Sequence, residues 1–197
     1  MATRPVKRHY RTGSEAVKNW MPDIGRGWSC MHLNKLSGVG TLKLRVEAED
    51  LIERIKLSIA DFSSVLIGSE LEHIPHDEHA ELINPVTAVL CFDGACSGII
   101  WARCSEPFAS FLAGRFRGCE EDSLLDHAGD AVTEIVHILG SEIRLFFSPM
   151  NKKFKLSEPE VFIGSAEGCE SLINSDKRVC CTFRYGRQRL QVGVVLQ

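Results

Sequence analysis

The sequence predicts an α+β fold in which two long helices pack on an antiparallel sheet. Two segments, about 47–67 and 124–147, carry apolar residues at every third or fourth position, as one buried face of a helix requires. The strand-like segments come in two groups, one between the long helices and one after them. Parallel strands each need a long crossover connection, so consecutive strands joined by short turns indicate an antiparallel sheet.

The other boundaries follow from turn and helix signals. The first long helix is expected to end at Gly68, and the polar segment 69–84 is predicted as a loop. Strand-like runs lie at 86–92, 98–104, 154–156, 161–163, 178–184 and 189–196. The first two and the last two of these runs are predicted as hairpins. Between them, Glu106 and Pro107 open a short helix that reaches about residue 116, with proline in the tolerated first turn.

Charge is unevenly distributed along the chain. Residues 1–45 hold nine Lys/Arg against Glu15 and Asp23, a balance of +7, so the remainder carries −10 of the total of −3. These basic residues are spread out, which is typical of a solvated, partly disordered extension. We therefore predict a basic N-terminal extension over 1–45 and one domain over 46–197. Contact of the extension with an acidic partner is an alternative. Nucleic-acid binding is not expected, because the remainder is acidic and lacks a recognised reading motif.

The composition is typical of a globular protein, with 44% hydrophobic and 25% charged residues. The longest apolar runs, 84–92 and 192–196, fall far short of the ~20 residues that a membrane-spanning helix needs. No apolar segment near the N-terminus resembles a signal peptide, so we expect a cytoplasmic protein without membrane contact. The eight cysteines are then expected as reduced thiols.

Two motifs suggest other chemistries, and the context of each argues against it. The pentapeptide 94–98 matches a nucleophile elbow around Cys96, but a strand follows it where that motif needs a helix. It is therefore predicted as the turn of the first hairpin. His73, His76 and His79 are spaced by three residues, but a proline interrupts any helix there and no further ligand set completes a metal site. No metal or cofactor is predicted.

The second long helix carries the candidate functional residues. Its apolar stripe is Leu125, Ala128, Val132, Ile135 and Leu139. A polar row on roughly the opposite side is Asp130, Glu134, His137 and Ser141. The stripe is expected to face the sheet and the row to face solvent. Spacing alone predicts an ordinary solvated face for the row.

This row and a later proline have the spacing of a known signature. The pattern Asp130-x3-Glu134-x2-His137-x21-Pro159 resembles that of the CheC/CheX/FliY chemotaxis phosphatase family, which has an acidic or hydroxyl residue, Glu, Asn and Pro at these intervals. The segment 156–164 is similar to the family's Ser-x-Pro-x-Val segment. The resemblance covers about residues 47–196 and implies a CheX-like domain.

The resemblance also implies a role in two-component signalling. In that family the glutamate pairs with the conserved lysine of a phosphorylated CheY-like response regulator, and the asparagine orients water at the aspartyl phosphate. By this resemblance Glu134 and His137 are the catalytic candidates, and Asp130, Glu134 and Pro159 are the partner-binding candidates. Positioning is most of what a protein adds to such a hydrolysis.

One position departs from the family's pattern, because His137 stands where the family has asparagine. A neutral imidazole offers one donor and one acceptor, as water orientation requires, but with a different reach. Two functions therefore stay open: a phosphoaspartyl phosphatase, and a non-catalytic module that binds the response regulator. CheX-like relatives form dimers through their sheets, and the sequence does not decide between a monomer and a homodimer.

Overall fold

The computed structural model describes residues 40–74, 82–93, 97–118, 125–147, 154–164, 173 and 178–196. The helices in this part of the chain are α1 (Gly40–Ile67), α2 (Glu106–Arg117) and α3 (Leu125–Phe147). Its strands are β1 (Glu72–Ile74), β2 (Pro85–Asp93), β3 (Gly98–Ser105), β4 (Lys155–Leu156), β5 (Glu160–Ile163), β6 (Arg178–Tyr185) and β7 (Gln188–Leu196). The element order agrees with the order predicted from the sequence, apart from β1.

The strands form one sheet with the order β1-β6-β7-β3-β2, and both β4 and β5 pair with β2. Every pairing is antiparallel. The two predicted hairpins are present, β2 with β3 and β6 with β7. The second hairpin turns at Gly186, whose φ of 58° is a conformation that glycine adopts without strain. The predicted α+β class with an antiparallel sheet is confirmed.

The helix boundaries agree with the sequence except at the start of α1. α2 and α3 begin and end within one residue of the predicted positions. α1 ends as predicted before Gly68, whose N–H donates to the carbonyl of Ser64 at 3.2 Å. It begins at Gly40, so residues 40–45 of the predicted extension are helical. Residues 1–39 lie outside the described residues.

The main core lies between the helices and one face of the sheet. Four residues of the α3 stripe are fully buried there: Ala128, Val132, Ile135 and Leu139. Burying the side chain of a valine, leucine or isoleucine stabilises a fold by roughly 1.5–3 kcal/mol. Because the stripe faces the core, the opposite side of α3 faces solvent. The predicted burial of Val132, Ile135 and Leu139 is confirmed.

The other face of the sheet carries a second apolar cluster, which the sequence analysis did not predict. Its members are Val89, Ile99, Trp101, Phe162, Ile173 and Val195. Trp101 lies against Gly193 of the neighbouring strand, where a Cβ would stand 2.7 Å from the indole ring. The central strands are therefore buried on both faces, which explains why β2 reads as a continuous apolar run rather than an alternating one.

The segment predicted as a loop contains the short strand β1, and that part of the prediction is wrong. β1 pairs with β6, and Arg184 donates two hydrogen bonds to Oε2 of Glu72, at 2.7 and 3.2 Å. Three residues are too few to show an alternating pattern, so the tertiary pairing decides their conformation. His73 packs edge-on against the ring of Phe183. His76, His79 and Cys96 lie outside the described residues.

Candidate functional site

The predicted polar row lies along the solvent side of α3. Glu134, His137 and Ser141 are exposed, and the side chain of Asp130 is 43% exposed. The position of the row is fixed by the opposite side of α3, because the buried stripe there packs against the sheet and the other helices. The predicted exposure of Glu134 and His137 is confirmed. The side chains of Glu134 and His137 therefore lie about one turn apart on the solvent-exposed face of α3.

The first end of the row is tied to α2. Nη2 of Arg117 lies 2.8 Å from Nδ1 of His127, and the same Nδ1 lies 3.5 Å from Oδ2 of Asp130. A guanidinium only donates hydrogen bonds, so Nδ1 of His127 is the acceptor in the contact with Arg117. The contact between Arg117 and His127 joins the end of α2 to the first turn of α3.

The middle of the row is open to solvent. No hydrogen bond or ion pair to another described residue engages the Glu134 carboxylate or the His137 imidazole. Ser141 donates from Oγ to the main-chain carbonyl of His137 at 3.1 Å, which uses its only proton within the helix. Among the described residues, Glu134 and His137 are therefore the members of this row whose charged or polar ends make no side-chain contact.

Pro159 lies on a separate segment that crosses from β4 to β5 beside α3. Ser157 fixes this segment to β2: its N–H donates to the carbonyl of Cys91 at 2.9 Å, and its Oγ accepts from the N–H of Cys91 at 3.0 Å. Leu156 at the start of the segment packs against Gly140 of α3. The structure thus brings Asp130, Glu134 and His137 onto one helix face and holds the half-buried Pro159 on a neighbouring, anchored segment.

α1 packs beside α3 and carries residues that the sequence analysis missed. Nη1 of Arg54 lies 3.7 Å from Oε2 of Glu142, and its guanidinium sits over the ring of Phe146, 5.7 Å from the ring centre. Leu57 and Val65 of α1 remain 65% and 90% exposed. The sequence does indicate their exposure, because neither belongs to the periodic apolar stripe of this helix, which is Leu51, Ile55, Ile59, Phe62 and Leu66.

Three of the described cysteines are suited to packing rather than to chemistry. Burial raises the pKa values of Cys91, Cys104 and Cys181 to about 12, with the nearby Glu160 adding to the shift at Cys91 and Cys180 adding to it at Cys181. These thiols stay protonated at neutral pH, and the thiolate is the nucleophile and metal ligand. Within the described residues, no cluster of three or more potential metal ligands occurs. No helix there is long and apolar enough to span a membrane.

Comparison with known proteins gives no match to a family model or to a curated protein sequence. Solved structures do match in fold. A CheC-like superfamily protein from Shewanella sp. PV-4 has a TM-score of 0.59 at 14% identity, over 75% of this chain and 97% of that chain. The chemotaxis protein CheX from Desulfovibrio desulfuricans has a TM-score of 0.55 at 18% identity, over 75% of this chain and 99% of that chain.

A third similar structure is a chain of the CheX-CheY-BeF3-Mg²⁺ complex from Borrelia burgdorferi. Its TM-score is 0.53 at 16% identity, over 74% of this chain and 97% of that chain. In each of these cases nearly the whole of the solved chain superimposes on about three quarters of this one. The chain therefore has the CheX-like fold that these chemotaxis proteins share.

Proposed function

We propose that this protein binds a phosphorylated CheY-like response regulator through α3 and hydrolyses its aspartyl phosphate. The observation that carries the proposal is the pair Glu134 and His137, exposed on one face of a helix whose other face is buried. Their spacing is that of the CheC/CheX/FliY signature. Further support comes from the fold, because a chain with a similar fold occurs in a CheX-CheY complex. A cytoplasmic location is part of the proposal.

Glu134 is the docking carboxylate in this proposal. Its partner is the conserved lysine of the regulator, and a carboxylate–ammonium contact is a charge-assisted hydrogen bond. Asp130 and Pro159 extend the contact surface on either side. The row is rigid because the helix backing it is packed in the core, so little ordering of its backbone opposes binding.

His137 takes the water-orienting position. Its unprotonated ring nitrogen accepts a hydrogen bond from a water placed in line with the departing aspartate. The water oxygen attacks phosphorus, the bond from phosphorus to the aspartyl oxygen breaks, and the aspartate leaves as a carboxylate. The proton of the water passes to solvent, so the imidazole needs only to orient the water.

A second function is favoured by one observation, the replacement of the family's asparagine by His137. The imidazole places its acceptor at a different distance and angle from the helix than a carboxamide does. If the water is then misplaced, the chain is a module that binds the regulator without hydrolysing its phosphate. Both functions use the same docking face, and only the rate of phosphate release separates them.

The docking role is tested by Glu134→Ala, measured as the affinity for a CheY-like regulator of the same genome saturated with beryllofluoride and Mg²⁺, a stable mimic of the aspartyl phosphate. Loss of a charge-assisted contact of about 1.5–3 kcal/mol raises Kd by roughly tenfold or more. Glu70→Ala removes the same charge from an exposed position after α1 and is the control. Equal affinities of the two variants would contradict the docking role of Glu134.

A further inference from the structure

The polar row of α3 continues beyond Ser141 to Arg144. Arg144 follows Ser141 by three residues and His137 by seven, which is close to two turns of the helix. The side chains of His137 and Arg144 therefore leave α3 on the same side, about 10.5 Å apart along its axis. Arg144 is exposed, as Glu134 and His137 are. The solvent-exposed face that carries the row thus ends on a cation.

Arg144 has no hydrogen bond or ion pair to another residue in the described part of the chain. Other exposed arginines do have such partners. Guanidinium nitrogens of Arg54 and Arg184 lie 3.7 and 2.7 Å from glutamate oxygens, and Arg117 donates to Nδ1 of His127 at 2.8 Å. A guanidinium carries five N–H donors in a rigid fork that matches a carboxylate. Within the described residues, no acceptor competes with a partner protein for the donors of Arg144.

Charge changes sign along this part of the chain. Residues 119–134 contain six Asp/Glu and no Lys/Arg, whereas residues 144–155 contain four Lys/Arg and no Asp/Glu. The dipole of a helix favours acidic residues in its first turn and basic residues in its last turn. Glu134 is the tenth residue of α3, where that effect is small. The opposite charges of Glu134 and Arg144, about 15 Å apart along one exposed face, are therefore suited to a partner that carries complementary charges.

We propose that Arg144 extends the regulator-docking face and contacts an acidic side chain of the CheY-like regulator, so that Glu134 and Arg144 together fix the direction in which the regulator lies along α3. The inference rests on the proposed function, because its partner is the same regulator. Glu134 then meets a lysine, and Arg144 meets a carboxylate about 15 Å further along the helix. Docking in the reverse direction would bring the lysine to Arg144 and the carboxylate to Glu134. Like charges placed opposite each other disfavour that orientation.

The test measures the affinity of the full chain for a CheY-like regulator of the same genome saturated with beryllofluoride and Mg²⁺. Arg144→Ala is expected to raise Kd by about threefold to tenfold, and Arg144→Glu by more, because it places like charges opposite each other. Arg144→Lys keeps the charge and should weaken binding less than Arg144→Ala. Salt screens exposed charges, so the effect of Arg144→Ala should decrease as the NaCl concentration is raised. Arg187→Glu is the matched control, because Arg187 is exposed in the turn between β6 and β7, and its Kd is expected to stay unchanged.

The outcomes separate this inference from the function on which it rests. If Glu134→Ala weakens binding while Arg144→Ala and Arg144→Glu do not, the contact of Arg144 is wrong and the docking role of Glu134 stands. If Arg187→Glu raises Kd as much as Arg144→Glu does, the effect comes from the net charge of the protein and the contact of Arg144 is also wrong. If the unsubstituted chain binds none of the CheY-like regulators of its genome, the proposed function is wrong and the role of Arg144 is rejected with it.

Discussion

Gly140 of α3 lies against Leu156 of β4. A Cβ on Gly140 would stand 3.3 Å from Cδ1 of Leu156 and 3.7 Å from Cδ2 of Leu90. Gly140 follows His137 by three residues, and Leu156 begins the segment that leads to Pro159. The absence of a side chain at this position lets that segment approach the helix carrying the polar row.

The effect of replacing Gly140 on the free energy of unfolding should depend on the size of the new side chain. Gly140→Ala gains helix propensity of about 1 kcal/mol, and the atom it meets is the flexible end of a half-buried side chain. We expect a free energy of unfolding within about 1 kcal/mol of the original. Gly140→Leu should destabilise by about 1–3 kcal/mol, because it overpacks the contact with Leu156. Urea unfolding of both variants measures this, and equal stability of the two would show that the contact is loose.

Trp101 carries an unsatisfied donor in the second cluster. Trp101 is 1% exposed, and no group among the described residues accepts a hydrogen bond from its buried Nε1. Trp101→Phe loses volume but removes a buried unpaired N–H, which costs about 1–3 kcal/mol when present. We expect the net change to stay within about 1 kcal/mol, against a loss of about 3–5 kcal/mol for Trp101→Ala. Urea unfolding that gave Trp101→Phe as large a loss as Trp101→Ala would mean that the N–H is paired in solution.

The buried thiol of Cys104 should make the free energy of unfolding decrease at alkaline pH. Burial raises its pKa from 9.0 to about 12. Between these values the unfolded chain releases a proton that the folded chain retains, so stability falls as pH rises above about 9. The slope from one such thiol approaches about 1.4 kcal/mol per pH unit. Cys104→Ala should be less stable at pH 7 but lose less stability between pH 8 and 10, as urea unfolding can measure. Parallel losses in the two proteins would contradict this role of Cys104.

The sequence predicts most of α3 and its row, because in a long amphipathic helix the spacing of the apolar residues indicates which face is buried. Val132 and Ile135 are buried and Glu134 is exposed for that reason alone. It does not predict β1, whose three residues are held by pairing with β6. The sequence also does not predict the second apolar cluster, because a strand buried on both faces lacks the alternation of apolar and polar residues that would distinguish its two faces.

In the candidate site, too, sequence spacing predicts some of the neighbouring residues and not others. Asp130, Glu134 and His137 are neighbours on one helix and can be grouped from sequence spacing. By contrast, the contact of Arg54 in α1 with Glu142 and Phe146 of α3 joins two helices that lie far apart in the chain. Such packing leaves no local periodic signal, so the sequence does not predict it.

The chemistry of hydrolysis is tested at His137. If the imidazole orients water, His137→Ala should lower phosphate release by roughly a hundredfold, the size of loss that follows when a reacting group is misplaced. His137→Asn restores the family's carboxamide and should keep or raise the rate. The assay is phosphate release from a phosphorylated CheY-like regulator, corrected for its own dephosphorylation. If binding persists while neither protein exceeds that background, the phosphatase function is wrong and the non-catalytic binding module is the function that remains.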